Sequence, residues 1–231
     1  MARSLKRITR KDLRQPDQFL TLTGRLLDLS RQHKASLFAS LTLVVIVALS
    51  LWGWDLYRTR HNRLAAQEYS RGLALFHKRQ YPAASQTFAR VAAYRWSSYR
   101  SLGLLYEANS HIALQEFSKA VPALRELVRR ERKDPFLRQL ALLSLGYAHE
   151  RTGRWRDAAT SFAEAAKIPG PFQEDALLGK GRSSLQAGDL KEALNSYQHY
   201  LSSFQASDRS SQVALQIQEL EAGMAQGSGG K

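Results

Sequence analysis

Residues 146–162 read GYAHERTGRWRDAATSF, and the spacing of small and large side chains in this stretch recurs along the chain. The pattern is a large apolar residue, an alanine three positions later and a second large apolar residue at position seven. The four occurrences are Tyr81/Ala84/Phe88, Phe117/Ala120/Leu124, Trp155/Ala158/Phe162 and Leu190/Ala193/Tyr197, preceded by the small residues Gly72, Ala108, Gly146 and Gly181. The patterned alanines lie 36, 38 and 35 residues apart. We therefore predict four copies of one structural unit.

Each unit has the composition of a pair of antiparallel helices. Apolar residues recur at spacings of three and four, and no window alternates as a strand would. A glycine or alanine suits the point of closest approach between two helices, and Pro135, Pro169 and Pro171 fall where units end because proline cannot continue a helix. A period close to 34 residues is typical of tetratricopeptide repeats. The sequence predicts an all-α solenoid over 55–206, with units near 65–98, 101–134, 139–172 and 174–207.

A last helix is predicted to close the array. Ser207 and Asp208 supply N-terminal capping side chains, and Val213, Ile217 and Leu220 lie on one face of a helix over 207–224. We expect that face to cover the open end of the fourth unit. The remaining residues, 225–231, are predicted to be disordered.

Residues 35–54 read ASLFASLTLVVIVALSLWGW and contain no charge. A helix of twenty residues spans about 30 Å, the thickness of a bilayer's hydrocarbon core. A cleaved signal peptide is the alternative, because Ala48-Leu49-Ser50 resembles a cleavage site. The polar stretch that precedes the run is 34 residues long, much longer than the usual n-region. We therefore predict an uncleaved transmembrane helix.

Charge sets the expected orientation of this helix. The net charge is +14, and residues 1–34 carry nine lysines and arginines against three aspartates. Short basic flanks remain in the cytoplasm, so we expect a single-pass protein of the bacterial inner membrane with a cytoplasmic N-terminus and periplasmic repeats. The absence of cysteine is compatible with that oxidising compartment. The basic tail, residues 1–34, is also predicted to contain an amphipathic helix that starts near Pro16-Asp17 and contacts lipid or a partner protein.

No pattern for catalysis is present. The six histidines are scattered without metal-ligand spacing, and Gly179-Lys180-Gly181 lies inside a predicted repeat helix rather than a phosphate-binding loop. We expect no catalytic residue, no cofactor-binding residue, no metal site and no cofactor. A hydrolase with an unrecognised site is the distant alternative.

Tetratricopeptide arrays bind other proteins through a groove lined by the first helix of each unit. Transferring the groove positions of such repeats to this chain gives a surface that begins apolar and aromatic and becomes charged, and an exposed apolar groove is typical of a partner site. The alternative is that these residues pack beneath neighbouring helices or the last helix. The predicted groove residues are Tyr69, Leu73, Phe76 and His77; Leu102, Leu105, Asn109 and Ile112; Leu140, Leu143, Tyr147 and Arg151; and Asp175, Leu178 and Arg182.

A second candidate surface is basic. Its positive side chains are interleaved with three acidic residues, so a solvated helix face is the ordinary explanation, and phospholipid head groups or an acidic partner are the functional one. No nucleic-acid recognition motif is present, and we expect no nucleic-acid partner. The residues are Arg125, Arg129, Arg130, Arg132, Lys133 and Arg138, with Glu126, Glu131 and Asp134 between them.

The layout of basic tail, single anchor and repeat array resembles the family of the ancillary SecYEG translocon subunit (YfgM-like) and the cell division coordinator CpoB. The segment ITRKDLRQPDQFLTLTGRLLDL, residues 8–29, is similar to the opening of membrane-anchored bacterial tetratricopeptide proteins. The resemblance implies a non-enzymatic scaffold or chaperone-like adaptor beside the translocon that binds partner proteins or emerging polypeptides. An envelope-assembly or division coordinator of the CpoB type is the alternative.

Overall fold

A computed structural model describes residues 34–228, so the predicted basic tail and its amphipathic helix lie outside the described residues. The described part is helical apart from short connections. Within it the chain separates into two compact units, with the boundary between Tyr57 and Arg58. The helices of residues 34–228 are α1 Lys34–His77, α2 Tyr81–Ala93, α3 Arg100–Ala113, α4 Phe117–Arg130, α5 Pro135–Arg151, α6 Trp155–Ala166, α7 Gln173–Gln186, α8 Leu190–Ser203 and α9 Ser210–Ser228.

The first unit contains the apolar part of α1. This helix is long and apolar enough to cross a membrane, and the apolar window within it is 0% buried by the rest of the described chain. Its hydroxyl groups are satisfied internally: Thr42 Oγ1 donates to the carbonyl of Phe38 and Ser50 Oγ to that of Ile46, both at 2.8 Å. Such bonds lower the cost of placing a hydroxyl group in hydrocarbon.

The second unit, from Arg58 onward, consists of four helical hairpins and a final helix. The later part of α1 pairs with α2, and α3–α4, α5–α6 and α7–α8 form the other hairpins, each packed on the next. The predicted all-α solenoid of about four hairpins is therefore confirmed. The sequence interpretation treated residues 35–54 and a first repeat near 65 separately, and both lie in the one helix α1.

The small residue of each unit lies at the closest approach within its hairpin. A Cβ added to Gly72 would lie 2.7 Å from the ring of Phe88, one on Gly146 2.7 Å from Phe162, and one on Gly181 2.4 Å from Tyr197. Unit two replaces this glycine–aromatic pair with Ala108 and Leu124, which share one core cluster. The four units thus use two solutions to the same packing problem, glycine against an aromatic ring or alanine against leucine.

The turn inside each hairpin has a left-handed residue at one equivalent position. The φ angles are 58° at Arg79, 58° at Gln115, 70° at Gly153 and 81° at Gly188. Each of these residues precedes the patterned alanine of its unit by five positions. Glycine adopts this conformation without strain and other residues do not, so the first two turns are less favourable than the last two.

Helix α9 covers the end of the fourth unit as its apolar spacing predicts. Val213 and Ile217 are buried in a cluster with Tyr197 and Tyr200, and Leu220 packs against that cluster. Glu174 fixes the preceding turn, since its Oε1 accepts hydrogen bonds from Tyr200 Oη at 2.8 Å and Ser207 Oγ at 2.6 Å. The helix extends to Ser228, past the predicted end at 224, and residues 229–231 lie outside the described residues.

Candidate functional site

Two of the predicted groove residues of unit one, Tyr69 and Phe76, belong to an aromatic cluster between units one and two. The ring of Tyr106 lies 5.7 Å from that of Tyr69, 5.6 Å from Phe76 and 5.1 Å from Phe88. Burial, with a further contribution from Tyr106, raises the pKa of Tyr69 to about 12. These rings are packed on one another, so this end of the predicted groove is an aromatic surface whose side chains are half-buried.

Four further groove residues also have most of their surface covered. Leu105 is 6% exposed and lies in the core cluster of units two and three. Leu73, Leu102 and Leu140 are half-buried, and Leu140 packs against the same cluster. Their side chains contribute to the contact between helices, and little of Leu105 is accessible to a partner.

Seven of the remaining groove residues line an open cleft of about 370 Å³ between the first helices of units two, three and four. Asn109 and Ile112 come from α3, and Leu143 and Tyr147 from α5. Seven of the ten residues that line the cleft were predicted from the sequence, and the structure adds Ser144, Phe162 and Arg209. The complete lining is Asn109, Ile112, Leu143, Ser144, Tyr147, Phe162, Asp175, Leu178, Arg182 and Arg209.

The walls of the cleft are apolar and its border is charged. Ile112, Leu143 and Leu178 are half-buried, which leaves part of each side chain open to the cleft. Phe162, only 3% exposed, forms the floor, and it reaches this position because Gly146 and Gly179 leave no Cβ in its way. An apolar side chain of a bound polypeptide would displace water from these walls.

One border is an ion pair between units three and four. Arg182 donates from Nε and Nη2 to the two carboxylate oxygens of Glu150 at 2.9 and 2.8 Å, and Ser183 Oγ donates to the same carboxylate at 2.8 Å. These hydrogen bonds raise the pKa of the Arg182 guanidinium. The Glu150 side chain is 8% exposed and that of Arg182 is 55% exposed, so the arginine presents its outer face to solvent.

The other border comes from the segment before α9. Arg209 Nη1 lies 2.5 Å from Asp175 Oδ1, and the side chains are 52% and 48% exposed. The hydrogen bond to Asp175 raises the pKa of Arg209. Asp175 was among the predicted groove residues, whereas Arg209 was not, because it follows the fourth unit and has no repeat register. Its place depends on how the chain turns after α8.

The cleft continues into two neighbouring depressions. A depression of about 580 Å³ shares Tyr147 and Arg182 with the cleft and also includes Arg151 and Trp155. Arg151 lies 5.1 Å above the ring of Phe117, and that ring meets Tyr147 edge-on at 5.9 Å. A second depression of about 250 Å³ shares Leu178, Arg182 and Arg209. Arg182 therefore lies at the junction of the cleft and both depressions.

The part of the chain that the structure describes contains no candidate metal-binding group. No group of three or more histidine, aspartate or glutamate side chains with metal-binding geometry occurs between residues 34 and 228. The charged groups of the cleft itself, Asp175, Arg182 and Arg209, are each engaged in an ion pair. This arrangement suits recognition of a polypeptide through apolar contacts and guanidinium groups.

Solved structures share this architecture at low sequence identity. MamA (residues 41 to the end) from Desulfovibrio magneticus RS-1 is 17% identical, with 62% of this chain and 77% of that chain covered and a TM-score of 0.52. The nearly identical TPR-like repeats of a kinesin light chain from Podosopora anserina are 16% identical, with 72% and 93% covered and a TM-score of 0.53. At these identities the likeness shows the fold alone. No curated protein sequence matches the chain.

The family is shown by the extent of one match. The family model described as a tetratricopeptide repeat-like domain matches residues 31–222, which include the four hairpins and most of α9. The chain therefore belongs to the tetratricopeptide repeat-like domain family.

Proposed function

We propose that this protein is a membrane-anchored scaffold that binds an extended segment of a partner protein in the cleft between units two, three and four. Tetratricopeptide-like folds generally bind protein partners, and their family is one of non-enzymatic scaffolds. The observation that carries the proposal is the open apolar cleft, whose lining includes Asn109, Leu143, Leu178 and Arg182 from three successive units.

The chemistry of the cleft favours one kind of segment. Its walls suit an apolar side chain, and the exposed faces of Arg182 and Arg209 suit an acidic side chain or a backbone carbonyl next to it. At the unit-one end of the predicted groove, the Tyr69, Phe76 and Tyr106 rings are packed on one another. The proposed ligand is therefore a short extended segment with an apolar residue beside an acidic one.

Anchoring in the bacterial inner membrane is part of the proposal. An apolar helix with no protein cover and a basic N-terminal tail support it, and the tail supports a cytoplasmic N-terminus with periplasmic repeats. The full-length chain should resist alkaline carbonate extraction from membranes. A reporter enzyme fused after residue 231 should be active only in the periplasm, and activity in the cytoplasm would contradict this orientation.

The resemblance in layout to YfgM-like proteins supports a finer assignment as an ancillary component of the Sec translocon. Coordination of envelope assembly or division in the manner of CpoB is the alternative, and the partner identifies which applies. Translocon subunits or periplasmic chaperones bound at the cleft would support the first, and Tol or peptidoglycan-synthase components the second.

Site-specific photocrosslinking in cells tests the cleft directly. A photoreactive residue at Leu143 or Tyr147 should capture a defined partner, and the same residue at Leu215 should not, because Leu215 is 58% exposed on α9 and outside the cleft lining. A Leu178→Asp change should weaken capture from Leu143. Equal capture from Leu215, or capture that is indifferent to Leu178→Asp, would refute binding in the cleft.

A further inference from the structure

Apart from the cleft and the two depressions beside it, a further depression is lined almost entirely by arginine. It has a volume of about 490 Å³ and lies between α4, the turn after it and α5. Four guanidinium groups surround one apolar side chain, that of Val128. This arginine pocket, lined by Arg125, Val128, Arg129, Arg132 and Arg138, shares no residue with the cleft.

The backbone brings these side chains together. Arg125 and Arg129 are four residues apart on α4 and share one face of that helix, and Arg132 lies in the turn that follows its last residue, Arg130. Arg138, in the first turns of α5, is held in place because its Nη1 donates to the carbonyl of Val128 at 2.9 Å. This bond fixes one of the four guanidinium groups at the pocket.

The positive charge of the pocket is only partly balanced. Arg129 donates to Glu126 at 2.6 and 2.9 Å, and Arg138 lies 3.8 Å from Glu164. Among the ion pairs of the described residues, none involves Arg125 or Arg132, which are both exposed. The partial negative charge at the C-terminal end of α4 favours basic residues in its last turn. It does not explain why four guanidinium groups line one cavity.

We propose that the arginine pocket binds a phosphate-class oxyanion with at least two negative charges, such as a phosphate monoester or diphosphate group. Guanidinium groups match the oxygens of phosphate with paired hydrogen bonds, and several charges on one compact group relieve the mutual repulsion of the arginines. A single carboxylate supplies one charge and two oxygens, and so fits the pocket less well. Phosphate of this chemistry is found both in anionic lipid head groups and in soluble phosphorylated molecules.

Binding of inorganic pyrophosphate to the full-length chain tests the proposal. The protein is placed in zwitterionic lipid nanodiscs, and calorimetry is carried out at low salt. We expect saturable binding that weakens as salt is added. The Arg125→Gln/Arg132→Gln variant should lose about tenfold in affinity per arginine removed.

The matched control removes two positive charges elsewhere. Arg71→Gln/Arg156→Gln changes two exposed arginines outside the pocket, and its affinity for pyrophosphate should equal that of the unmodified protein. Circular dichroism should show that both variants keep their helices. Equal loss of affinity in the two variants, or no saturable binding by the unmodified protein, would overturn the proposal.

Anionic nanodiscs distinguish the two sources of phosphate. If the ligand is a lipid head group, phosphatidylglycerol or phosphatidic acid in the disc should compete with pyrophosphate, and the competition should disappear in Arg125→Gln/Arg132→Gln. If it is a soluble phosphate, pyrophosphate affinity should be the same in both discs. Tighter binding of an oligo-aspartate peptide than of pyrophosphate would overturn the phosphate assignment in favour of an acidic protein. Because the pocket and the cleft have no residue in common, these results are independent of the crosslinking at Leu143.

Discussion

Replacing Gly72 with alanine should overpack the first hairpin. The new Cβ would lie 2.7 Å from Phe88 Cε1, and Phe88 is 0% exposed, so the ring has no free space into which to move. That ring also lies 5.9 Å from Tyr69 and 5.1 Å from Tyr106, which would have to move with it. Overpacking of this kind costs about 1–3 kcal/mol, and the better helix propensity of alanine returns about 0.5–1 kcal/mol. The difference is a net loss of about 0–2.5 kcal/mol in the free energy of unfolding, with a central value of about 1 kcal/mol.

Unit two shows how the clash should be relieved. There Ala108 faces the hairpin with Leu124 at the position that Phe88 occupies in unit one. Phe88→Leu alone should destabilise the protein because it leaves a void opposite Gly72. The double variant Gly72→Ala/Phe88→Leu should be more stable than the sum of the two single effects predicts, by about 1 kcal/mol.

Thermal unfolding of the full-length chain in detergent, followed by circular dichroism, measures these effects. For a chain of this size 1 kcal/mol corresponds to about 2–4 °C in Tm. Gly223→Ala is the matched control, since nothing lies within 4 Å of its Cβ position in α9, and it should raise stability or leave it unchanged. If Gly72→Ala melts at or above the temperature of the unmodified protein, the packing argument is refuted.

Three further predictions concern the turns, the ion pair and a buried histidine. Gly188 has a φ of 81° with open space at its Cβ position, so Gly188→Ala should cost about 1 kcal/mol in urea unfolding, whereas Gln115→Gly, at the matching turn with φ 58°, should cost nothing. Arg182→Met leaves the nearly buried Glu150 carboxylate without its paired donor and should cost about 1–3 kcal/mol, less if Glu150→Gln is added. Burial lowers the pKa of His149 below its ordinary 6.5, so below that pH the unfolded state binds more protons than the folded state. The contribution of His149 to the free energy of unfolding should therefore be fully present above pH 6.5 and be lost on acidification. His149→Gln should show a smaller fall in the free energy of unfolding between pH 7.5 and 5.5.

Much of the fold is predictable because its determinants are local and repeated. The spacing from Gly146 to Phe162 contains a helix, a turn and the facing helix, so one stretch of sequence specifies one hairpin. Repetition at 35–38 residues then specifies stacking, since each unit must bury the apolar face of the previous one. The apolar run of α1 is equally local, because length and composition alone make a helix able to span a membrane.

The candidate site was predictable only in part. Repeat register placed Asn109, Leu143 and Arg182 on the first helices of their units, and the structure brings them to one cleft. Their role in binding stays a prediction. Register did not predict that the rings of Tyr69 and Phe76 pack against Tyr106, because this packing depends on a neighbour in another unit.

The sequence by itself determined the all-α repeat, the number of hairpins, the apolar helix and the positions where small residues face large ones. Only the tertiary structure decided that aromatic rings pack on one another at one end of the groove and a cleft lies at the other, that Arg209 borders the cleft, and that four arginines line one pocket. The physical reason is the separation along the sequence of the residues that make each contact. A hairpin is specified by contacts within about one repeat, whereas a cleft or pocket depends on side chains from different units and on turns that no periodicity describes.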